Sequence, residues 1–381
     1  MDFSRLTAYL DRLKDQPTNI PACDCAVYVR HEQVYRHFSG CSDEQNTVPL
    51  NGHETYYFYS ATKMFTCVAV MQLVERGLIR LDDPVAQYIP AYMLLTVRDG
   101  DITRAAKRPL TIRHLMSMQS GLDYDLNAKA LQNARAALGA EATTAQLVDA
   151  IAHKPLAFDP GEDYQYSLSH DVLGAVVEVV SGKTFGQYLL ENVMEPLGMQ
   201  DIGFARTPAR MDRLCAQYTR NDQTGESIPA GTDNPYILSP KYESGGAGLI
   251  GGVDDYVRLV DALACGGVGQ TGARILKPET IDLYRTPQLK NHAYDTFKLR
   301  MRIGYTYALG VRVMEDPLAD PTRKGNIGEF GWDGAAGAFA LVDPKYELSI
   351  FYAQHVRGFG WIYHNAHPII RSLTYEALGL L

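Results

Sequence analysis

Residues 56–77 have the sequence YYFYSATKMFTCVAVMQLVERG, in which a short strand-like run leads into a long apolar helix. The helical pattern spans residues 61–76 and is apolar on almost every side, which predicts a helix buried within the core. Gly77 then ends the pattern. Ser60 and Lys63 lie three residues apart at the start of this helix, so both side chains belong to one face, about one turn apart.

The pair formed by Ser60 and Lys63 is the first candidate for chemistry. A serine hydroxyl is a weak nucleophile until a neighbouring base removes its proton. The apolar helix is expected to hold the lysine amine partly out of water, a setting in which lysine can act as a base. The first helical turn also offers unpaired backbone N–H groups that favour an oxyanion. The alternative, a helix cap followed by a surface lysine, is disfavoured by the apolar surroundings.

Two later segments supply further candidates. Tyr166 lies in a loop before the helix predicted near Asp171, where a phenol can act as a second proton-transfer group. Residues 331–337, GWDGAAG, precede an apolar strand, and their small side chains let a substrate approach the backbone. The N–H of Ala335 is the candidate partner of the Ser60 N–H in an oxyanion hole. An ordinary packed tyrosine and a glycine-rich hairpin are the structural alternatives.

Strand patterns occur at both ends of the chain, with helical patterns between them. A hairpin is predicted over residues 22–40, and strands over 305–313, 335–342 and 348–353. This order predicts an α/β fold of the α+β type, in which an antiparallel sheet flanked by helices carries a mostly helical inserted domain.

The domain boundaries follow from the same order. We assign residues 1–85 and 240–381 to the sheet domain and residues 86–239 to the mostly helical domain. The active site is expected between the two, where ligand sites are common.

Composition excludes several classes of protein. The net charge of −8 comes from interspersed acidic and basic residues, which argues against a nucleic-acid partner. No apolar stretch reaches the roughly 18 residues of a membrane span. Six scattered cysteines and a first segment without an export pattern predict reduced thiols and a cytoplasmic location. Cysteines and histidines, including His114 and His170, lack metal-ligand spacing, so neither a metal nor another cofactor is predicted.

Taken in order, the motifs resemble those of the penicillin-recognising serine hydrolases, in the branch of class C β-lactamases, D-aminopeptidases and family VIII carboxylesterases. The matching segments are YSATK (59–63), LVERGL (73–78), LDDPV (81–85), LTIRHLM (110–116), SGL (120–122), PG (160–161), YS (166–167), LG (173–174) and SGGAGL (244–249).

This resemblance implies a β-lactamase/transpeptidase-like fold and an acyl-enzyme mechanism. Ser60 is then the nucleophile, Lys63 its general-base partner and Tyr166 the second proton-transfer group. The N–H groups of Ser60 and Ala335 form the oxyanion hole. Which of Lys63 and Tyr166 first deprotonates Ser60 stays open, because a coupled pair titrates as a unit.

Two departures from the family pattern bear on the substrate. Leu168 stands where the tyrosine motif usually has asparagine. Trp332, Asp333 and Gly334 replace the Lys-Thr-Gly of β-lactamases, similar to the Trp-Gly-Gly of some family VIII esterases. We expect all four residues to contact the substrate. Trp332 offers a flat apolar wall, whereas the lost lysine and the added carboxylate disfavour penicillins.

The leading hypothesis is a hydrolase of carboxylic esters, or an acyltransferase, that works through an acyl-Ser60 intermediate on a small-molecule substrate. A D-amino-acid amidase or peptidase is the first alternative, since Asp333 could hold a substrate ammonium group. A weak β-lactamase is the second. A non-catalytic binding protein on the same scaffold is the alternative outside enzymes. The oligomeric state is not indicated by the sequence.

Overall fold

The computed structural model describes residues 1–300, 303–320, 322 and 324–380. The helices of this part of the chain are α1 (Ser4–Arg12), α2 (Thr62–Glu75), α3 (Ile112–Met116), α4 (Lys129–Leu138), α5 (Thr144–Ile151), α6 (Ser169–Ser181), α7 (Phe185–Leu189), α8 (Pro208–Met211), α9 (Val253–Ala264), α10 (Pro278–Tyr284), α11 (Asn291–Arg300) and α12 (His367–Leu378). None of these helices has the length and apolar character needed to cross a membrane.

The strands are mostly short. They are β1 (Ala22–Val29), β2 (Glu32–Gly40), β3 (Tyr56–Tyr57), β4 (Thr96–Asp99), β5 (Ile102–Ala105), β6 (Ile202–Gly203), β7 (Tyr218–Asn221), β8 (Glu226–Pro229), β9 (Ile250–Gly251), β10 (Tyr305–Tyr307), β11 (Arg312–Met314), β12 (Phe330–Gly331), β13 (Phe339–Asp343), β14 (Leu348–Gln354) and β15 (Val356–Arg357).

The main sheet has seven strands in the order β10-β11-β12-β13-β14-β1-β2, and all neighbours are antiparallel. The early hairpin therefore joins the late strands, as the sequence predicts. Alternating side chains of β1 and β14 cover opposite faces. Val27 and Ile350 pack with α1 and α12, whereas Ala26 and Phe351 belong to the core that contains α9.

Helix α2 lies in the centre of the larger core. Every residue from Thr62 to Leu73 is buried, which confirms the prediction of a helix enclosed on all sides. It packs against α6, α7 and α10. Because these neighbours hold it rigidly, α2 is a firm base for side chains at its first turn.

The predicted single strand over residues 305–313 is wrong, because the chain turns back between β10 and β11. Gly310 has a φ of 95° at this turn, and a Cβ there would lie 2.2 Å from Cys67 Sγ. The turn therefore packs directly on α2, and only glycine fits it.

Candidate active site

Ser60 lies at a sharp bend between β3 and α2. Tyr59 has a φ of 47°, a left-handed conformation that is strained for a bulky residue. Its buried hydroxyl donates a hydrogen bond of 2.5 Å to Gln217 Oε1, and its ring contacts Tyr236 edge-on. These contacts hold the bend, which directs the partly exposed Ser60 to the wall of a cavity.

Lys63 lies beside Ser60 in the first turn of α2 and is fully buried. Its Nζ donates to Ser60 Oγ at 3.1 Å and to the Gly246 carbonyl at 2.7 Å. A third, longer contact of 3.5 Å joins Nζ to the Tyr124 hydroxyl. The structure thus brings together the two residues that the helical spacing placed on one face, with the amine shielded from bulk water.

The chain segment that carries the Gly246 carbonyl packs against the buried carboxyl group of Asp171. Asp171 Oδ1 accepts hydrogen bonds from the hydroxyls of Tyr242 at 2.8 Å and Ser244 at 2.6 Å. A Cβ on Gly246 would lie 2.5 Å from Asp171 Oδ2, so glycine is required there. Burial raises the pKa of Asp171, while the Ser244 hydrogen bond and the nearby Lys63 charge oppose this. Asp171 therefore positions the segment against which Lys63 is fixed.

Tyr166 lines the same cavity as Ser60 but contacts Lys63 through its ring. Lys63 Nζ lies 4.7 Å from the ring centroid. The Tyr166 hydroxyl oxygen accepts a hydrogen bond of 3.2 Å from Trp332 Nε1, and the two rings stack at 5.9 Å. Among the described residues the hydroxyl hydrogen of Tyr166 has no acceptor, and no hydrogen bond joins Tyr166 to Ser60. Its proton can therefore be exchanged with a molecule in the cavity.

Tyr124 is a site residue that the sequence analysis missed. Its ring stacks on Tyr166, with centroids 5.6 Å apart and planes 13° apart. Burial raises its pKa well above the ordinary value, the Asp171 charge adds to the rise, and a hydrogen bond with Ser60 opposes it. Tyr124 is thus a neutral hydroxyl beside the nucleophile. Tyr124 lies three residues after Gly121 of the SGL motif. In a chain with 24 tyrosines, that position alone does not distinguish it from the others.

Ala335 lines the same cavity as Ser60. It lies within a turn that is closed by a 2.9 Å hydrogen bond from the Gly334 N–H to the Ala338 carbonyl. A Cβ on Gly334 would lie 2.4 Å from the Phe58 carbonyl oxygen, so the two backbones approach closely. Within the described part of the chain, the N–H groups of Ser60 and Ala335 have no acceptor. Both can donate to a substrate oxygen, as an oxyanion hole requires.

The cavity has a volume of about 600 Å³, the size of a site for a small organic ligand. It is lined by Ser60, Tyr124, Asp125, Leu126, Asn127, Tyr166, Tyr236, Trp332, Asp333, Gly334, Ala335, Tyr363 and His364. Aromatic rings form much of this wall. No lysine or arginine is found among these described lining residues, and the acidic ones are Asp125 and Asp333.

Residues 10–367 match the model of the beta-lactamase family. The chain belongs to the beta-lactamase family. Esterase EstB of Burkholderia gladioli is 31% identical over 380 residues, which cover 92% of this chain and 90% of the esterase. Monacolin J acid methylbutanoyltransferase of Aspergillus terreus is 29% identical over 354 residues, which cover 86% of this chain and 83% of that enzyme.

A solved structure of the same fold is that of EstCE1, a hydrolase with promiscuous acyltransferase activity. It superposes with a TM-score of 0.79 at 25% identity and covers 99% of this chain and 98% of its own. These likenesses confirm the resemblance to penicillin-recognising serine hydrolases and the predicted β-lactamase/transpeptidase-like fold.

Two residues expected to contact substrate in this beta-lactamase family member have other partners. Asp333 lines the cavity, but its Oδ1 accepts a 3.0 Å hydrogen bond from Arg312 and lies 3.5 Å from His367 Nδ1. Its charge is therefore compensated by Arg312. Leu168 is buried at the start of α6, where its N–H donates to the Asp123 carbonyl. It lines a separate small cavity, so a substrate contact for Leu168 is not supported.

Proposed function

We propose that this protein cleaves carboxylic esters, or transfers their acyl groups to an alcohol, through an acyl-Ser60 intermediate. The observation that carries the proposal is the shielded Lys63 amine, 3.1 Å from Ser60 Oγ at the wall of an aromatic cavity. Two relatives in the family support the proposal, one named an esterase and the other a methylbutanoyltransferase, because each matches most of this chain.

The contacts suggest a sequence of proton transfers. Ser60 Oγ attacks the ester carbonyl carbon, and its proton passes to the uncharged Lys63 amine or, in the state with Lys63 protonated and Tyr166 ionised, to the Tyr166 phenolate. The N–H groups of Ser60 and Ala335 hold the oxyanion. When the intermediate collapses, the leaving alcohol takes a proton from Tyr166, whose hydroxyl faces the cavity. Water or a second alcohol then attacks the acyl group and gives its proton to the Tyr166 phenolate. As the acyl group leaves, the Ser60 oxygen takes a proton from Lys63 or Tyr166, which restores the starting state.

The cavity wall favours an uncharged, apolar acyl group. Trp332, Tyr166 and Tyr124 present stacked rings, and the lining lacks a cation within the described residues. A penicillin carboxylate therefore has no cationic partner among these lining residues. A D-amino-acid amide is the second candidate, but both acidic lining residues already have cationic partners, Asp333 with Arg312 at 3.0 Å and Asp125 with Lys154 at 2.7 Å.

Hydrolysis of nitrophenyl acetate and butyrate tests the proposal. We expect turnover by the wild type, loss in Ser60→Ala, and retention in the control Ser181→Ala at the partly exposed end of α6. A fluorophosphonate probe followed by intact mass is expected to label Ser60 once. Turnover of D-alanyl amides in preference to esters would favour the amidase, and no adduct at all would favour a binding protein.

Two further proposals concern the setting of the site. The cavity draws Ser60 and Trp332 from the proposed sheet domain, and Tyr124 and Tyr166 from residues 86–239, which supports a site between two domains. The six cysteines are all free, which supports the proposed cytoplasmic location because thiols persist in a reducing compartment.

A further inference from the structure

A second cluster of reactive side chains lies outside the cavity, where the β1–β2 turn meets the end of α9. His31 lies in the turn, and Asp261 and Cys265 lie one helical turn apart at the end of α9. His31 Nδ1 is 2.8 Å from Asp261 Oδ2, and Cys265 Sγ is 3.9 Å from Asp261 Oδ1. One donor atom from each of the three lies within 4.8 Å of the other two.

Burial and charge at this cluster suit a bound cation. The Asp261 side chain is fully buried, and a buried carboxylate needs compensation. The His31 ring is 34% exposed, which leaves a route from solvent. The carbonyl end of α9 adds partial negative charge next to Cys265. The neighbouring cation, Arg30, is already bound to Glu347 at 2.9 Å.

The donor types select the metal. Imidazole nitrogen, thiolate sulfur and carboxylate oxygen are the ligands of Zn²⁺, whereas Mg²⁺ and Ca²⁺ take oxygen alone. Zinc bonds of about 2.0–2.3 Å in a tetrahedron place donor atoms roughly 3.3–3.8 Å apart. For such a tetrahedron, the distance between His31 Nδ1 and Asp261 Oδ2 has to increase slightly, and the largest distance between two donor atoms has to decrease. Rotations of the three side chains produce both changes.

We propose that His31, Asp261 and Cys265 bind one Zn²⁺ ion, with water as the fourth ligand, and so tie the β1–β2 turn to the end of α9. Binding releases the thiol proton to solvent. The ion joins the hairpin at one edge of the main sheet to the helix that packs on it. Spacing along the chain could not indicate this site, because His31 lies 230 residues from Asp261.

Cobalt provides the test, because Co²⁺ replaces Zn²⁺ and absorbs light when bound by sulfur. The full chain is stripped with a chelator and titrated with Co²⁺. We expect one ion per chain, tetrahedral visible bands and a near-ultraviolet sulfur-to-cobalt band. The sulfur band is expected to vanish in Cys265→Ser, and His31→Ala and Asp261→Asn are expected to weaken binding by about tenfold or more.

Matched controls separate this site from chance binding. His37→Ala removes another histidine of the same hairpin that pairs with an aspartate, since His37 Nε2 lies 2.9 Å from Asp11 Oδ1 of α1. Cys41→Ser removes another partly exposed thiol. Both are expected to bind Co²⁺ as the wild type does.

A stability measurement keeps the proposal testable if a variant folds poorly. Zn²⁺, but not Mg²⁺, is expected to raise the Tm of the wild type and of the His37→Ala control. A wild type that binds no cobalt, or binds it equally well after Cys265→Ser, would overturn the proposal. So would a Tm that Zn²⁺ leaves unchanged.

Discussion

Replacing Tyr166 by Phe and, separately, Tyr124 by Phe identifies the phenol that moves a proton. The two rings stack at 5.6 Å, so each variant loses an oxygen while keeping its packing. The Tyr124 hydroxyl lies 3.5 Å from Lys63 Nζ, whereas that of Tyr166 faces the cavity with its hydrogen available. We expect Tyr166→Phe to lose most of the activity and Tyr124→Phe to lose little.

The two roles differ enough in free energy to be separated. A general acid or base contributes about 10²–10⁴-fold to the rate, which corresponds to about 2.7–5.4 kcal/mol. A single hydrogen bond between neutral groups contributes about 0.5–1.5 kcal/mol, or roughly 2- to 13-fold. Tyr166→Phe belongs to the first class. Tyr124→Phe belongs to the second.

The assay is kcat/KM for nitrophenyl butyrate, with the pre-steady-state burst reporting acylation of Ser60. Circular dichroism shows whether each variant is folded. A larger loss in Tyr124→Phe than in Tyr166→Phe would reverse the assignment. Losses of less than about tenfold in both variants would show that neither phenol transfers a proton.

Three further outcomes are expected. Lys63→Met keeps the length of the side chain but removes the amine, so the acylation burst should slow by about 10²–10⁴-fold; an unchanged burst would contradict its role as a base. Gly246→Ala should lower kcat more than it alters KM, because it displaces the carbonyl that binds Lys63. Gly252→Ala is the control, because there is room for a Cβ at Gly252. Hydrogen bonds from Arg104 lower the pKa of Asp159 to about 2. The ionised Asp159 therefore stabilises the fold above about pH 4, and this stabilisation is lost as the pH falls toward 2. The Tm values of wild type and Asp159→Asn should converge there, and a constant difference would refute the argument.

Regular patterns in the sequence predicted the main sheet and α2 because burial alone decides them. The β1–β2 hairpin and strands β13 and β14 follow alternating or continuous apolar runs close to the predicted positions. The hairpin β4–β5 lacks such a pattern because its side chains are mostly exposed. Its Arg104 binds the buried Asp159, which is distant in the sequence, so this contact appears only in the fold.

The site was predictable where its contacts are local. Ser60 and Lys63 are fixed by helical spacing, so their contact could be expected from the sequence. Asp171 and Tyr124 act through residues far along the chain, and no local pattern indicates such contacts. The partner of Asp333 is Arg312, which lies on the neighbouring strand β11, so its compensation appears only once the strands are paired.

The stack of Trp332 on Tyr166 gives the cavity its own optical reporter. The chain has two tryptophans, and Trp332 is 5% exposed whereas Trp361 is 38% exposed. A water-soluble quencher therefore reduces the fluorescence of Trp361 first. The remaining fluorescence comes from the indole whose N–H touches Tyr166, so arrival and departure of an acyl group can be followed without a chromogenic substrate.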